Sequence, residues 1–146
     1  MRKLLLLIAL MLGLAVSALA KDTYARNASA LPKAAQTILA RNCKAKVSLI
    51  KIDKDFGRIS EYEVILTDGT EITFDRSGNW ESIEVSNNKS VPDGFITQAI
   101  RNFVKNNHKG TRIVGIERDR SGYDVELSDG LELKFDRAGN FKRYDD

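Results

Sequence analysis

The sequence predicts an α+β protein in which two tandem units, each a helix followed by four antiparallel strands, form a sheet of about eight strands with both helices packed on one face. Three observations lead there. Thr67-Asp68-Gly69-Thr70-Glu71-Ile72-Thr73-Phe74-Asp75-Arg76-Ser77-Gly78-Asn79-Trp80 returns as Ser128-Asp129-Gly130-Leu131-Glu132-Leu133-Lys134-Phe135-Asp136-Arg137-Ala138-Gly139-Asn140-Phe141, so one supersecondary unit is written twice. Each copy opens on an apolar residue and a proline, Leu31-Pro32 and Val91-Pro92, and proline suits the first turn of a helix, where its missing N–H costs nothing. After each helical stretch the apolar period shortens to two, which marks half-buried strands.

The amino terminus reads as a signal peptide over residues 1–20. Arg2 and Lys3 precede an apolar run from Leu4 to Val16, and Ala18-Leu19-Ala20 supplies the small residues of a cleavage site. The run is shorter than a membrane span of about 20 residues and no second one follows, so no membrane span is expected after cleavage and the mature chain belongs in the periplasm or outside the cell. Losing Arg2 and Lys3 leaves 21 basic against 20 acidic residues, a net charge of +1, which removes the case for a nucleic-acid partner. Residues 21–30 read as a flexible polar segment. A single domain follows over residues 31–146, made of one repeat at 31–85 and another at 91–144, with a short polar connector between them.

In the second copy Phe95, Ile96, Ala99, Ile100 and Phe103 recur at helical spacing. Ala35, Ile38, Leu39, Asn42 and Cys43 match them in the first, which pairs Cys43 with Phe103 and makes the lone thiol a small buried hydrophobe. His108 reads as a solvated residue ending the second helix. Ile50 and Ile52 then alternate with charge, as do Tyr62, Val64 and Leu66, and the second copy repeats this at Val114, Ile116, Tyr123, Val125 and Leu127. Asp68-Gly69 and Asp129-Gly130 read as two-residue hairpin turns. Asp75 to Asn79 and Asp136 to Asn140 also read as hairpin turns, because only one carboxylate precedes each glycine and a calcium loop needs several.

The set Leu/Val-Pro opening a helix, Tyr-x-Val-x-Leu-x-Asp-Gly and Phe-Asp-x-x-Gly-Asn-aromatic resembles the PepSY-like family of exported bacterial proteins, with the beta-lactamase-inhibitor-protein-like fold, over Leu31 to about Tyr144. The resemblance implies a concave eight-stranded surface and a periplasmic or secreted binding role, with inhibition of an enzyme or restraint of a peptidase as inherited possibilities. The turn and core positions that carry it imply no inhibitory residue.

No nucleophile, metal cluster or phosphate loop appears in either copy, so no catalytic residue, metal or cofactor is expected and the functional expectation is a non-enzymatic binding module. The wet face of the sheet carries Glu61, Glu63, Glu71 and Thr73, then Asp124, Glu126, Glu132 and Lys134, with Ile65 as an apolar exception. Candidate binding residues are Glu61, Glu63, Ile65, Asp124, Glu126 and Phe56, for an unidentified protein, peptide or envelope glycan. A merely solvated face shows the same alternation, so the pattern locates a surface without naming a ligand. The alternative is a small hydrolase using carboxylates such as Glu61 and Glu63. Phe56 lies in a hairpin three residues longer than its counterpart and either folds back onto the core, the preferred reading, or stands out as an anchor.

Overall fold

The computed structural model describes residues 22–145, so the expected leader lies outside the described residues. In chain order the strands are β1 (Thr23–Ala25), β2 (Val47–Asp55), β3 (Arg58–Leu66), β4 (Glu71–Asp75), β5 (Trp80–Glu84), β6 (Ile113–Arg118), β7 (Tyr123–Leu127), β8 (Glu132–Phe135) and β9 (Phe141–Asp145). Helix α1 (Lys33–Asn42) lies between β1 and β2, and α2 (Gln98–Asn107) between β5 and β6. The strands form one open sheet in sequential order β1 to β9, with every neighbouring pair antiparallel.

Strand alternation sends Ile50, Val64, Ile72, Phe74, Ile83, Ile116, Val125, Leu133 and Phe135 to one side of the sheet, where all are fully buried. Ala35 and Leu39 of α1, and Ile100 and Val104 of α2, close that side into one core. Each of the larger side chains, valine, leucine, isoleucine or phenylalanine, contributes roughly 1.5–3 kcal/mol through burial. The aromatic Phe103 of α2 meets Phe135 edge-on at 5.5 Å and stacks on Phe141 at 4.5 Å, which ties α2 to the last two strands.

Several expectations are corrected. The sheet has nine strands among the described residues, because Thr23–Ala25 pairs with Ile50 to Ile52 and a 3-10 turn, Ala28–Ala30, follows it. Most of the segment expected to be loose is therefore ordered. Its small polar residues carry no apolar alternation, yet they satisfy the free edge of β2. The proline of the second copy opens a separate 3-10 turn, Asp93–Phe95, and α2 begins only after Thr97, whose hydroxyl accepts from the Ile100 N–H at 3.4 Å. Phe95 and Ile96 are buried ahead of the helix rather than on its stripe.

That shift moves the helix alignment. Both helices are ten residues long, and Asn42 donates to the Ile38 carbonyl as Asn107 donates to that of Phe103. Cys43 and His108 are the two C-caps, so the counterpart of Cys43 is His108 and not Phe103. Cys43 is half-buried, and burial together with the charge of Asp68 pushes its thiol up to about 11, which keeps it protonated at neutral pH. His108 is not a solvated residue: it is half-buried between Phe103 and Tyr144, with Nε2 3.3 Å from the Tyr144 hydroxyl.

The turns also differ from the two-residue reading. Gly69 and Gly130 alone have positive φ, 85° and 89°, and the Leu66 and Leu127 amides donate to the carbonyls of Thr70 and Leu131. These are three-residue hairpin loops ending in a left-handed glycine. The true two-residue primed turn is Phe56-Gly57, with φ of 50° and 78°. Phe56 does not fold back; its side chain is 102% exposed at the tip of the long β2–β3 hairpin. The primed turn sets Phe56 beyond the last strand pair, Asp55 and Arg58, at the hairpin's end.

Candidate functional site

The face of the sheet opposite the core collects the polar partners of this pairing in rows. One row runs from Lys51 through Glu63, Thr73, Ser82, Glu117 and Asp124 to Lys134 and Arg143. The neighbouring row runs from Leu49 through Ile65, Glu71, Glu84, Gly115, Glu126 and Glu132 to Asp145. Within and beside these rows six pairs of acids stand directly opposite each other: Asp53 and Glu61, Glu61 and Asp75, Glu71 and Glu84, Glu117 and Asp124, Glu126 and Glu132, Glu132 and Asp145. Lys51 offsets Asp53 at 2.8 Å, and Lys134 offsets Asp124 and Asp145 at 3.0 and 3.5 Å, whereas the central pairs, Glu71 with Glu84 and Glu126 with Glu132, lie opposed with no such lysine, an arrangement that destabilises a sheet.

The predicted residues occupy this face in two groups. Glu61, Glu63 and Ile65 lie on β3, while Asp124 and Glu126 lie on β7, four strand spacings or roughly 19 Å away. Phe56 projects beyond both rows. Sequence reasoning missed what fills the middle: Glu84 on β5 and Gly115 and Glu117 on β6. Period-two alternation continued through Ser82 and Glu84, and through Gly115 and Glu117, is the signal that finds them. It also missed Leu49, which pairs with Ile65 as an apolar couple on the acidic face.

Gly115 decides the centre. A Cβ there would lie 3.4 Å from Oε2 of Glu126, and its absence leaves Glu84 and Glu126 facing each other over a bare backbone. Burial raises the Glu84 carboxyl above its usual range, and the charges of Glu126 and Glu71 raise it further. Burial raises Glu71, and burial with the charge of Glu132 raises Glu126.

At the other end, one oxygen from each of Asp53, Glu61 and Glu63 lies within 4.8 Å of the others. The Lys51 ammonium sits among them, 2.8 Å from Asp53 and 3.6 Å from Glu63, and reaches Asp22 at 3.6 Å. Burial pulls Lys51 down, but its bond to Asp53 and the surrounding carboxylates outweigh this and raise it. Burial raises Glu61, with Glu63 and Asp53 adding to the effect, and burial raises Glu63 against the opposing charge of Lys51. Glu63 Oε2 is buried without a hydrogen bond.

The two Asp-to-Asn turns show why their carboxylates are spoken for. Asp75 Oδ1 accepts from the Ser77 and Asn79 amides at 2.8 and 2.9 Å, and Asp136 Oδ1 from those of Ala138 and Asn140 at 2.9 and 2.8 Å. In both, the asparagine side chain closes on Oδ2.

These two sets of acids have opposite linkage to folding. Glu61, Glu63, Glu71, Glu84 and Glu126 hold protons more tightly folded than unfolded, so stability is gained as pH falls through their range. Asp68, Asp75 and Asp119 are lowered: burial opposes this in the first two, but backbone and side-chain donors win, and in Asp119 the Ser121 donors lead. Their contribution is present above the unfolded value and lost as pH falls through the folded one. Melting temperature at constant ionic strength is therefore expected to rise from pH 7 toward about pH 5 and to fall below about pH 4. A steady decline from pH 7 downward contradicts this assignment.

A small α+β protein with two helices on one face of an open nine-stranded antiparallel sheet, and acids on the other, defines the class. The chain belongs to the PepSY-like family, described as "Putative beta-lactamase-inhibitor-like, PepSY-like", which matches residues 60–143. It is similar to a "putative periplasmic protein of unknown function" from Bacteroides vulgatus, with 41% identity over 86% of this chain and 100% of that one, at a TM-score of 0.79. It is also similar to a "putative calcium-regulated periplasmic protein" from Bacteroides thetaiotaomicron, with 35% identity over 87% of this chain and 97% of that one and a TM-score of 0.76. A further B. vulgatus protein, also described as a "putative periplasmic protein", shares 31% identity over 87% of this chain and 97% of its own, with a TM-score of 0.75. No curated protein matches the sequence. The protein is periplasmic or secreted. Among the described residues no helix is long and apolar enough to cross a membrane.

Proposed function

We propose that this protein is a non-enzymatic binding module, built from a duplicated helix-plus-four-strand unit, whose acidic sheet face receives a cationic segment of a protein or peptide. The observation that supports the reading is the opposition of the central pairs, Glu71 with Glu84 and Glu126 with Glu132, across the strands, which costs stability in the free protein and is relieved by a bound cation. The open middle at Gly115 admits an extended chain, and Leu49 with Ile65 offers it one apolar contact. Phe56 is the second contact. A bulky residue held at φ 50° with its ring in water is strained and exposes apolar surface, the combination expected of an interface anchor. Inhibition of an envelope enzyme is one form such binding takes, in keeping with the family description.

Fluorescence anisotropy with a Lys/Arg-rich decapeptide tests this. Binding is expected to weaken about tenfold or more in the E71Q/E84Q/E126Q variant, whose melting temperature should stay level or rise. Phe56→Ser is expected to weaken binding by about 2 kcal/mol while leaving stability intact. A peptide that binds the triple variant as tightly as the parent refutes the reading. Calcium serves as a further probe, since one relative carries that description: a calcium-dependent melting shift abolished by Glu63→Gln would replace the cationic peptide with a divalent cation.

A further inference from the structure

A cavity of about 410 Å³ opens on the helix side of the protein, where the end of α2 meets the start of β6. Its size is in the range of small-molecule sites. Its floor is apolar: Val91, Ile96, Val104 and Ile113, all buried, line it. Its polar lining is overwhelmingly cationic, with Arg101, Lys105, Lys109 and Arg112 set against a single carboxylate, Asp93, and with His108 between.

The bland explanation is that lysines collect at a helix C-terminus to offset its dipole. It accounts for Lys105 and Lys109 but not for the arginines, since Arg101 lies in the first half of α2 and Arg112 comes from the strand side. Nor are three of the four cations, Lys105, Lys109 and Arg112, paired with a carboxylate among the described residues. Arg112 donates to the Asn87 carbonyl, which leaves its charge uncompensated. Arg101 is held at both ends of its fork, by Asp93 at 3.1 Å and by the Gln98 side-chain oxygen at 2.6 Å, while its Nε is buried and donates to nothing. Its charge is therefore met by Asp93, so Arg101 shapes the cavity wall while Lys105, Lys109 and Arg112 supply the unpaired positive charge. The 3-10 turn Asp93–Phe95 brings Asp93 and Ile96 to the cavity wall, and the first half of the chain has no such turn between Pro32 and α1.

We infer that this cavity is a binding site for a small amphiphilic oxyanion, a phosphate or carboxylate head on a short apolar body, with the head among Lys105, Lys109 and Arg112 and the body on the valine and isoleucine floor. The site is separate from the acidic sheet face and stands whether or not that face binds a cationic peptide. A cation-rich rim over an apolar floor selects against neutral amphiphiles, which lose the charge pairing, and against inorganic anions, which leave the floor wet.

Isothermal titration calorimetry of the purified protein tests the assignment with octyl phosphate, inorganic phosphate and octyl glucoside. Octyl phosphate is expected to bind once per chain, and its affinity should fall about tenfold or more between about 50 and about 500 mM salt. Octyl glucoside and inorganic phosphate should each bind at least about tenfold more weakly. The K105Q/K109Q variant, changed at two exposed positions, should retain its melting temperature and lose about fivefold or more in affinity for octyl phosphate. Phosphatidic acid vesicles distinguish the source: co-sedimentation abolished by the same variant identifies a lipid headgroup, and its absence alongside octyl phosphate binding identifies a soluble anion. Equal binding of octyl phosphate and octyl glucoside, or an unchanged affinity in K105Q/K109Q, overturns the inference.

Discussion

Trp80→Ala is expected to lower folding stability by about 3–5 kcal/mol, a large share of the roughly 5–15 kcal/mol that holds a domain of this size together. Trp80 starts β5 and is only 7% exposed. Phe95 meets its ring edge-on at 5.4 Å, and the Arg118 guanidinium lies 4.0 Å above it. Arg118 also donates through Nε to the Trp80 carbonyl at 2.6 Å, so the indole is clamped where the first half of the sheet meets the second. Truncation removes the aromatic packing and strips the cover from the arginine. Thermal unfolding reads the effect, with an expected fall of roughly 15 °C. Trp80→Phe keeps most of the volume and should recover more than half of the loss. An alanine variant that melts like the parent but fails to bind its partner would make Trp80 a recognition residue instead.

Gly122→Ala is expected to cost about 3 kcal/mol or more, comparable to losing a core side chain. Gly122 ends the β6–β7 turn at φ 144°, and a Cβ built there falls 2.0 Å from the Phe135 carbonyl oxygen and 2.9 Å from the Asp136 Cα. Both obstacles are backbone in the neighbouring β8 and its turn, so no rotamer change relieves them and the strand pair must part. Asp119, which gathers the turn by accepting from the Ser121 amide and hydroxyl at 2.7 and 2.6 Å, restricts the retreat further. Gly130→Ala is the control. It has positive φ but nothing within 4 Å of the added carbon, and should cost only about 1 kcal/mol. Denaturant midpoints compare the two, and equal losses would show that backbone strain alone matters.

The elements were legible in the sequence wherever the local signal and the tertiary outcome agree. Period-two alternation identified the core strands from Ile50 to Phe135, and the repeated Asp-x-x-Gly-Asn stretch announced the two turns, whose carboxylates bind their own backbone. Local signals failed where a competing choice won outside the window. Pro92 is a valid helix start, yet Thr97 supplies the cap and the intervening residues take a tighter turn. Thr23–Ala25 has no strand pattern of its own and becomes a strand because β2 has an open edge to fill.

The binding face divides in the same way. Sequence alone determined which residues are polar and which side of each strand they occupy, since a pleated strand sends alternate side chains to opposite faces whatever its neighbours. It therefore placed Glu61, Glu63, Ile65, Asp124 and Glu126 on the face away from the core. Only the tertiary structure decided what stands beside them, because the register between β5 and β6, which are separated by α2, is not set by any local turn. Register put Glu84 beside Gly115 and spread the predicted acids over two patches, and the meeting of the end of α2 with the start of β6 formed the open cationic cavity. Phe56 belongs to the tertiary side as well: its place in the primed turn beyond the pair of Asp55 and Arg58, rather than its hydrophobicity, leaves the ring in water.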